Sequence, residues 1–499
     1  MVSADSVSIS DTSFTKSSSA DGIVLYGEDA TDAIFTITNI QVDSIYYNNT
    51  KSWVINMNYG TVTISDSTFS NIAAGLITCT NMDGTFEGLT ISGITCSAST
   101  GSSCLIASSA STISFSDSTI TDITSNVDIM DFKSTTTVAL SKLTISNLKN
   151  TVTKATQLFF IGAYKVTAFS LDDSELTQSE FSGLNSTSSV VSISDTTFSN
   201  KAESRLLASR TLATVSTQAL LQFVYLISSS SVITNVDFIE NNPSTTASTI
   251  QGGAIRILGT GGTHVISDSL FEGNQASNGG AISVEGSASS FSIDNSEFTS
   301  NSATSYGGAI VIANQSIALT PTIKNSFFEY NKADFGGALY VGNEKITISK
   351  TLFLANSATS EGGAIGSIAK STNTMTISNS NFTQNSAVQG AALMAFGDMV
   401  FTYPSTTFLQ NVATYGGDIS GKPSQLRLRV YEVSPLYLLS EETNIDQMIN
   451  YDTTVLIYDS ISSDIKETLY QPTGLSANYL FEFSFVNTFD ETIQNLSNM

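Results

Sequence analysis

One short pattern recurs along this chain and decides what it can fold into. Val7-Ser-Ile-Ser-Asp-Thr-Ser-Phe14, Val62-Thr-Ile-Ser-Asp-Ser-Thr-Phe69, Val191-Ser-Ile-Ser-Asp-Thr-Thr-Phe198 and Val265-Ile-Ser-Asp-Ser-Leu-Phe271 are near copies. Aligned on the apolar residue five before the terminal Phe, the copies anchor at Ile9, Ile37, Ile64, Phe86, Phe115, Leu140, Leu171 and Ile193. The series runs on through Ile233, Ile266, Ile293, Ile323, Ile348, Ile377 and Tyr403. In ten of these fifteen copies the residue five later is Phe. Apolar residues alternate with Ser or Thr, the period of a half-buried strand with Ile inward and Ser or Thr outward. Such units cannot bury a face alone and must stack. The fold expected is all-β: a right-handed parallel β-helix of about fifteen coils, since parallel crossovers are overwhelmingly right-handed. At ~4.8 Å per layer the rod would be on the order of 70 Å long.

Residues 1–237 keep this rhythm in degenerate form, and residues 238–420 add a second signature. Phe-x-x-Asn occurs at Phe238/Asn241, Phe271/Asn274, Phe298/Asn301, Phe328/Asn331, Phe353/Asn356, Phe382/Asn385 and Phe408/Asn411. Gly-Gly-Ala-Ile or a close variant follows each, as at Gly279-Gly280-Ala281-Ile282 and Gly307-Gly308-Ala309-Ile310. Paired glycines permit positive φ and close approach of one turn to the next. We expect Phe to form an aromatic ladder, and Asn to take the left-handed bend while its amides stack from layer to layer. Asn242 to Gln251 should bulge as a loop. Lys201 to Arg210, inside the largest interval, reads as an insertion at about 200–215. Residues 421–499 change character: Gln425–Tyr431, Thr453–Tyr458 and Tyr479–Val486 are candidate strands of a partial β-sandwich or capping segment.

The Phe-x-x-Asn and Gly-Gly-Ala-Ile pair resembles the repeat of the polymorphic outer-membrane proteins, whose passenger regions are right-handed β-helices of the pectin-lyase-like class. The same repeat recurs in large surface proteins of protists. The resemblance is specific over 238–419 and weaker over 1–237. It implies an extracellular or surface-displayed shaft with adhesive or structural roles. Bacterial members end in a long transporter barrel, whereas only some 80 residues follow the last coil here.

Composition narrows the chemistry. With 44 acidic and 20 basic residues the net charge is −24, which repels phosphate backbones and disfavours nucleic acid. One His and three Cys build neither a zinc finger nor a disulfide framework. Cys96 and Cys104, eight apart in a Ser-rich stretch, could form a loop disulfide or remain buried thiols, with Cys79 left over. Two residues after the anchor runs an Asx column: Asp11, Asn39, Asp66, Asp117, Asp173, Asp195, Asn235, Asp268, Asn295, Asn325 and Asn379. A catalytic pair would be local, whereas this column spans the chain, so an Asx-turn at each coil corner is favoured over Ca²⁺ binding or acid–base work. Asp172, Asp173 and Asp195 are where a hydrolase cluster would be sought. Arg256 with His264, across Gly259-Thr-Gly-Gly-Thr263, reads as a surface loop. Trp53 and Tyr46-Tyr47 could stack a ligand, with packing the simpler role. Sequons at Asn48, Asn185, Asn314, Asn381 and Asn495 permit glycosylation without arguing for it.

No catalytic, cofactor-binding or metal residue is assigned, and no cofactor is expected, Ca²⁺ being the one ion the acidic column would suit. Met1-Val-Ser-Ala-Asp5 has no leader character, and no run of 18 apolar residues occurs. The chain reads as a piece of a longer polypeptide, with any leader or membrane attachment outside it. The function expected is a non-enzymatic structural or adhesive shaft at the cell surface. It would bind extracellular glycans or surface proteins through loops and sheet faces, with end-to-end or lateral self-association open to it. The alternative is a polysaccharide lyase or glycoside hydrolase.

Overall fold

A computed structural model describes residues 6–15, 18–19, 25–27, 33–47, 53–97, 103–134, 137–151, 158–177, 181–199, 223–241, 251–286, 288, 290–314, 320–342, 345–415, 417–421, 423–433, 449–458, 478–487 and 492–493. Among them there is no helix. Residues 6–421 wind into a parallel β-solenoid. The anchor of each coil pairs with the anchor of the next, from Ile9↔Ile37 through Ile193↔Ile233 to Ile348↔Ile377. The residues five later pair likewise, from Phe14↔Val42 to Phe382↔Phe408. A third strand in each coil, such as Ile255–Leu258 or Ile310–Asn314, completes the wall. A fourth side is paired briefly at Ser18–Ser19 with Tyr46–Tyr47 and, from Gln275 onward, forms a six-stranded parallel sheet running from Gln275–Asn278 to Val412–Tyr415.

Left-handed corners set the turns, and two of them flank the strand of the Phe column. All fifteen residues two after the anchor have positive φ, including Lys142 (51°), Lys350 (51°) and Ser405 (55°) where no Asx stands. What fixes this corner is therefore the backbone, and not the expected Asx-turn. Asp and Asn are common there because they tolerate φ > 0 best after Gly. Each N–H bonds across the coil boundary, as in Asp268 N to Asp294 O at 3.2 Å. The side chains bridge coils as well: Asn295 Nδ2 donates to Asp268 Oδ1 at 2.7 Å. The second corner lies two after the Phe column, at Ser300, Tyr330 and Ala355. It is thus the residue before the repeat Asn that bends, and not the Asn itself.

Freed from the bend, the Asn points inward. Asn274, Asn301, Asn331, Asn356 and Asn385 are fully buried. Asn301 Nδ2 donates to Phe271 O at 2.9 Å and to Asn331 Oδ1 at 3.0 Å, while Asn301 N donates to the same Oδ1 at 3.0 Å. The arrangement repeats from coil to coil and ends on Asp418, which accepts Asn411 Nδ2 at 2.9 Å. Beside it stands the expected Phe ladder, Phe198 to Phe408, with centroids 4.6–5.3 Å apart. Stacking adds about 0.5–1.5 kcal/mol per pair beyond burial.

Not every Ser and Thr faces out. Three after the anchor, Ser269, Ser296, Ser326, Thr351 and Ser380 are buried. Ser296 Oγ donates to Asp294 O at 2.9 Å and accepts Ser269 N at 3.3 Å. The hydroxyl thereby satisfies one backbone group on each of two coils.

The glycine pair divides its labour as expected. The first glycine bends (Gly307, φ 61°), and the second has no room for a Cβ. A Cβ on Gly308 would lie 2.0 Å from Gly337 O and 2.6 Å from Lys332 N.

Cys96 and Cys104 form a disulfide with Cα atoms 5.6 Å apart, and Cys79 is a buried thiol that burial pushes up to about 12. Pro423–Val433, Ile449–Tyr458, Asn478–Asn487 and Thr492–Ile493 form a separate antiparallel sheet with Pro423–Val433 between the two long partners. The expected insertion at 201–210 and the loop at 242–250 lie outside the described residues.

Substitution N301A strips acceptor and donor from the middle of the buried ladder, leaving Asn274 N without its acceptor and removing the amide's bonds to Phe271 O and Asn331 Oδ1. It should cost about 1–3 kcal/mol, the cost of an orphaned buried group. T299A on the outer face should change stability by no more than about 0.5 kcal/mol. Paired thermal and urea melts of the two variants read the difference, and equal effects would refute a ladder that carries stability.

A candidate binding groove at the glycine corner

The residue immediately before each glycine pair lies outside the bend and forms its own column. Gln251 bridges Asn278, and the pairing continues Asn278↔Tyr306↔Phe335↔Glu361↔Gln389↔Tyr415. Five residues later, on the third strand, stands a second outward column: Arg256, Ser283, Val311, Tyr340. Gly-Gly-Ala between them offers no long side chain, so the two columns face each other across an open groove of about 600 Å³. Tyr306 and Tyr340 meet across it with centroids 4.6 Å apart, and Tyr306 stacks on Phe335 at 5.3 Å. Tyr306 remains 38% exposed. Burial, then the neighbouring Tyr306, pushes the Tyr340 phenol up to about 12, so it stays a hydrogen-bond donor at neutral pH.

The groove's charge is internally cancelled. Arg256 binds Glu285 through Nε–Oε1 and Nη2–Oε2, both 3.1 Å, and lies 5.4 Å from the Tyr225 centroid. Ser283 Oγ donates to Glu285 Oε1 at 2.9 Å. Next to Phe335 in the column, Glu361 is half-buried. Burial, then Asp334, pushes its carboxyl up to about 7.

Arg256 and His264 do not meet as a basic pair. Arg256 faces outward, whereas His264 is 1% exposed, two before the anchor, in the interior column between Ser231 and Phe291. Its Nδ1 lies 3.0 Å from Ser231 Oγ, and burial pulls its pKa down to about 4. Asp172, Asp173 and Asp195 each serve the coil stack. Asp172 Oδ1 accepts Ser194 Oγ at 2.5 Å, Asp195 Oδ1 accepts Asn235 Nδ2 at 2.5 Å, and Asp173 N donates to Ser194 O at 3.2 Å. Trp53 packs over Gly75 of the next coil, and Tyr46 is 55% exposed. Of the sequon residues, Asn185 is half-buried and bonded to Tyr164 Oη, and Asn381 is exposed. Asn48, Asn495 and the side chains of Asn314 and Tyr47 lie outside the described residues.

Composition and spacing missed a second polar cluster. Asp131, 5% exposed, pairs with Lys133 at 2.5 Å, and Asp128 Oδ1 accepts Phe159 N at 2.9 Å. Burial, reinforced by Asp131, pushes Asp128 up to about 6. Among the described residues no group of three or more His, Cys, Asp or Glu is placed to hold a metal ion.

These shifts have opposite signs in folding. Asp128 and Glu361 bind their protons more tightly when folded, so their contribution is present at acid pH and lost as pH rises from about 4 through 6 and 7. His264 binds its proton less tightly, so its contribution is present above about 6.5 and lost as pH falls toward 4. Melting temperature against pH should therefore fall less between pH 5 and 7.5 in D128N and E361Q. In the double variant S231V/H264F it should fall less between pH 6.5 and 4. Unchanged slopes in these variants would refute the assignments.

The family model described as the Chlamydia polymorphic membrane protein repeat matches residues 268–285 and 295–313. A search of curated proteins found no match. Each matched segment begins at a left-handed corner, Asp268 or Asn295, and runs past the Asn ladder and the glycine corner to a residue of the groove wall, Glu285 or Ala313. Two segments of the parallel β-solenoid are thus similar to the Chlamydia polymorphic membrane protein repeat.

Proposed function

We propose that this chain is the shaft of a protein displayed at the cell surface or outer membrane. In this reading it is non-enzymatic, and it holds binding surfaces away from the cell to meet glycans or surface proteins. One observation carries the reading: the anchor and Phe columns stay in register from coil to coil between Ile9 and Phe408, and the buried Asn column is bonded along the axis. A rod of that kind is stiff along its axis. The membrane-protein repeat supports the location, and so does the Cys96–Cys104 disulfide, a bond that persists outside reducing compartments.

The alternative, a polysaccharide lyase or hydrolase, draws its support from the half-buried Asp128 and the buried Asp131 beside Lys133 and Tyr164. Those groups already have work as partners of Lys133 and of a backbone N–H.

Antibody to this chain should label intact cells that make it as strongly as permeabilised ones. Labelling only after permeabilisation would overturn the surface reading. Purified chain incubated with polygalacturonate, xylan and chitin, with and without Ca²⁺, should release neither unsaturated uronates nor new reducing ends. Release that D131N abolishes would establish the enzyme instead.

A further inference from the structure

We propose that the glycine-corner groove binds an uncharged oligosaccharide, its sugar rings laid along the coil axis against Tyr306 and Tyr340. The inference rests on the reading of the chain as a surface-displayed binding shaft, and it names the place and the chemistry of the ligand.

Four observations carry it. Tyr306, Phe335 and Tyr340 form a contiguous aromatic cluster at an open groove, and Tyr306 keeps over a third of its surface free. Aromatic faces of that kind favour the C–H faces of a pyranose, as they favour other flat, weakly polar partners. The groove volume, about 600 Å³, lies within the range of small-ligand sites. Asn278, whose Oδ1 accepts Tyr306 N at 3.3 Å, and the Tyr340 hydroxyl stand on the same walls, groups suited to sugar hydroxyls.

Charge then selects the class of sugar. No Lys or Arg is among the groove's lining residues, and the nearby Arg256 has both of its forked donors on Glu285. A uronate, sulfate or sialate would enter without a counter-charge, against a net charge of −24. An apolar peptide segment would strand the Asn278 amide nitrogen in a desolvated contact. A neutral glycan suits both the ring faces and the polar walls.

The test is a printed array of cellohexaose, chitohexaose, maltohexaose, mannohexaose and hexagalacturonate, probed with the full chain and followed by calorimetry on the best binder. At least one neutral hexasaccharide should bind, and hexagalacturonate should not. Y306A and Y340A should each weaken that binding about tenfold, the loss of one stacked ring. Y306F should retain it. Y330A should retain it too, since Tyr330 is an exposed residue (59%) of a different column. Melting curves for Y306A and Y340A that superpose on the parent exclude unfolding as the cause.

Binding to none of the neutral sugars, preference for hexagalacturonate, or equal loss in Y330A would overturn the groove assignment. Binding to cells or surface proteins that survives Y306A and Y340A, with no sugar bound, would overturn it while leaving the shaft reading intact. Neutral-sugar binding lost in Y306A, in a protein that antibody cannot reach on intact cells, would uphold the groove and remove the surface reading.

Discussion

The structure depends on one interaction: the buried Asn and Ser/Thr columns take their hydrogen-bond partners from the coil before or after them. In a solenoid the next coil is the neighbour within reach, so these bonds run along the axis. The buried Asn column meets the demand for partners most fully. One carboxamide oxygen accepts two donors from the preceding coil, while its own amide donates both backward and forward, as at Asn301. The Ser and Thr column does the same with a hydroxyl. Because an orphaned buried group costs about 1–3 kcal/mol, a slip of one residue anywhere would orphan several at once. The register is thereby fixed more firmly than hydrophobic contact alone could fix it.

That demand explains the glycines and, through them, the surface. For the Asn to sit inside, the chain must bend left-handed just before it and again at the first glycine. The second glycine must then let coils approach until a Cβ would touch the next carbonyl. A corner stripped of side chains for internal reasons is also a corner with an open exterior. The groove is a by-product of the packing, and its walls are residues the packing leaves free to vary.

The register was legible in the sequence because stacking is periodic. Ile9, Ile37 and their successors mark inward positions whether or not anything else is known, and the alignment of anchors is the register observed. The Phe ladder and the close glycine approach were legible for the same reason. The direction of a side chain at a corner was less so. Asn301 was taken as the bending residue, yet Ser300 bends, because alternation breaks where φ turns positive and the inward set shifts by one. Ser296 was read as outward for the same cause. His264 looked like half of a basic pair with Arg256, but eight residues of sequence separate an outward column from an inward one. The groove itself gave almost no signal. Tyr306 and Tyr340 belong to different coils, and only the pairing of Tyr306 with Phe335 and the turn at Gly336 bring the two rings together.

The two halves of the rod meet the same demand by different means, and the difference assigns their roles. Before residue 200, long strands such as Gly75–Glu87, Thr112–Ser125 and Thr137–Asn150 run on through their left-handed residues, without a glycine pair. After residue 250, most strands are three to five residues long and a glycine corner recurs from coil to coil. The second design yields a groove whose walls change, coil by coil, without touching the interior. Glu361, Gln389 and Tyr415 in place of Tyr306 alter what the corner presents while Asn356, Asn385 and the Phe ladder stay the same. What this corner presents is therefore set by the residue before Gly-Gly and the one five after it, whereas the Asn and Phe columns hold the coils together.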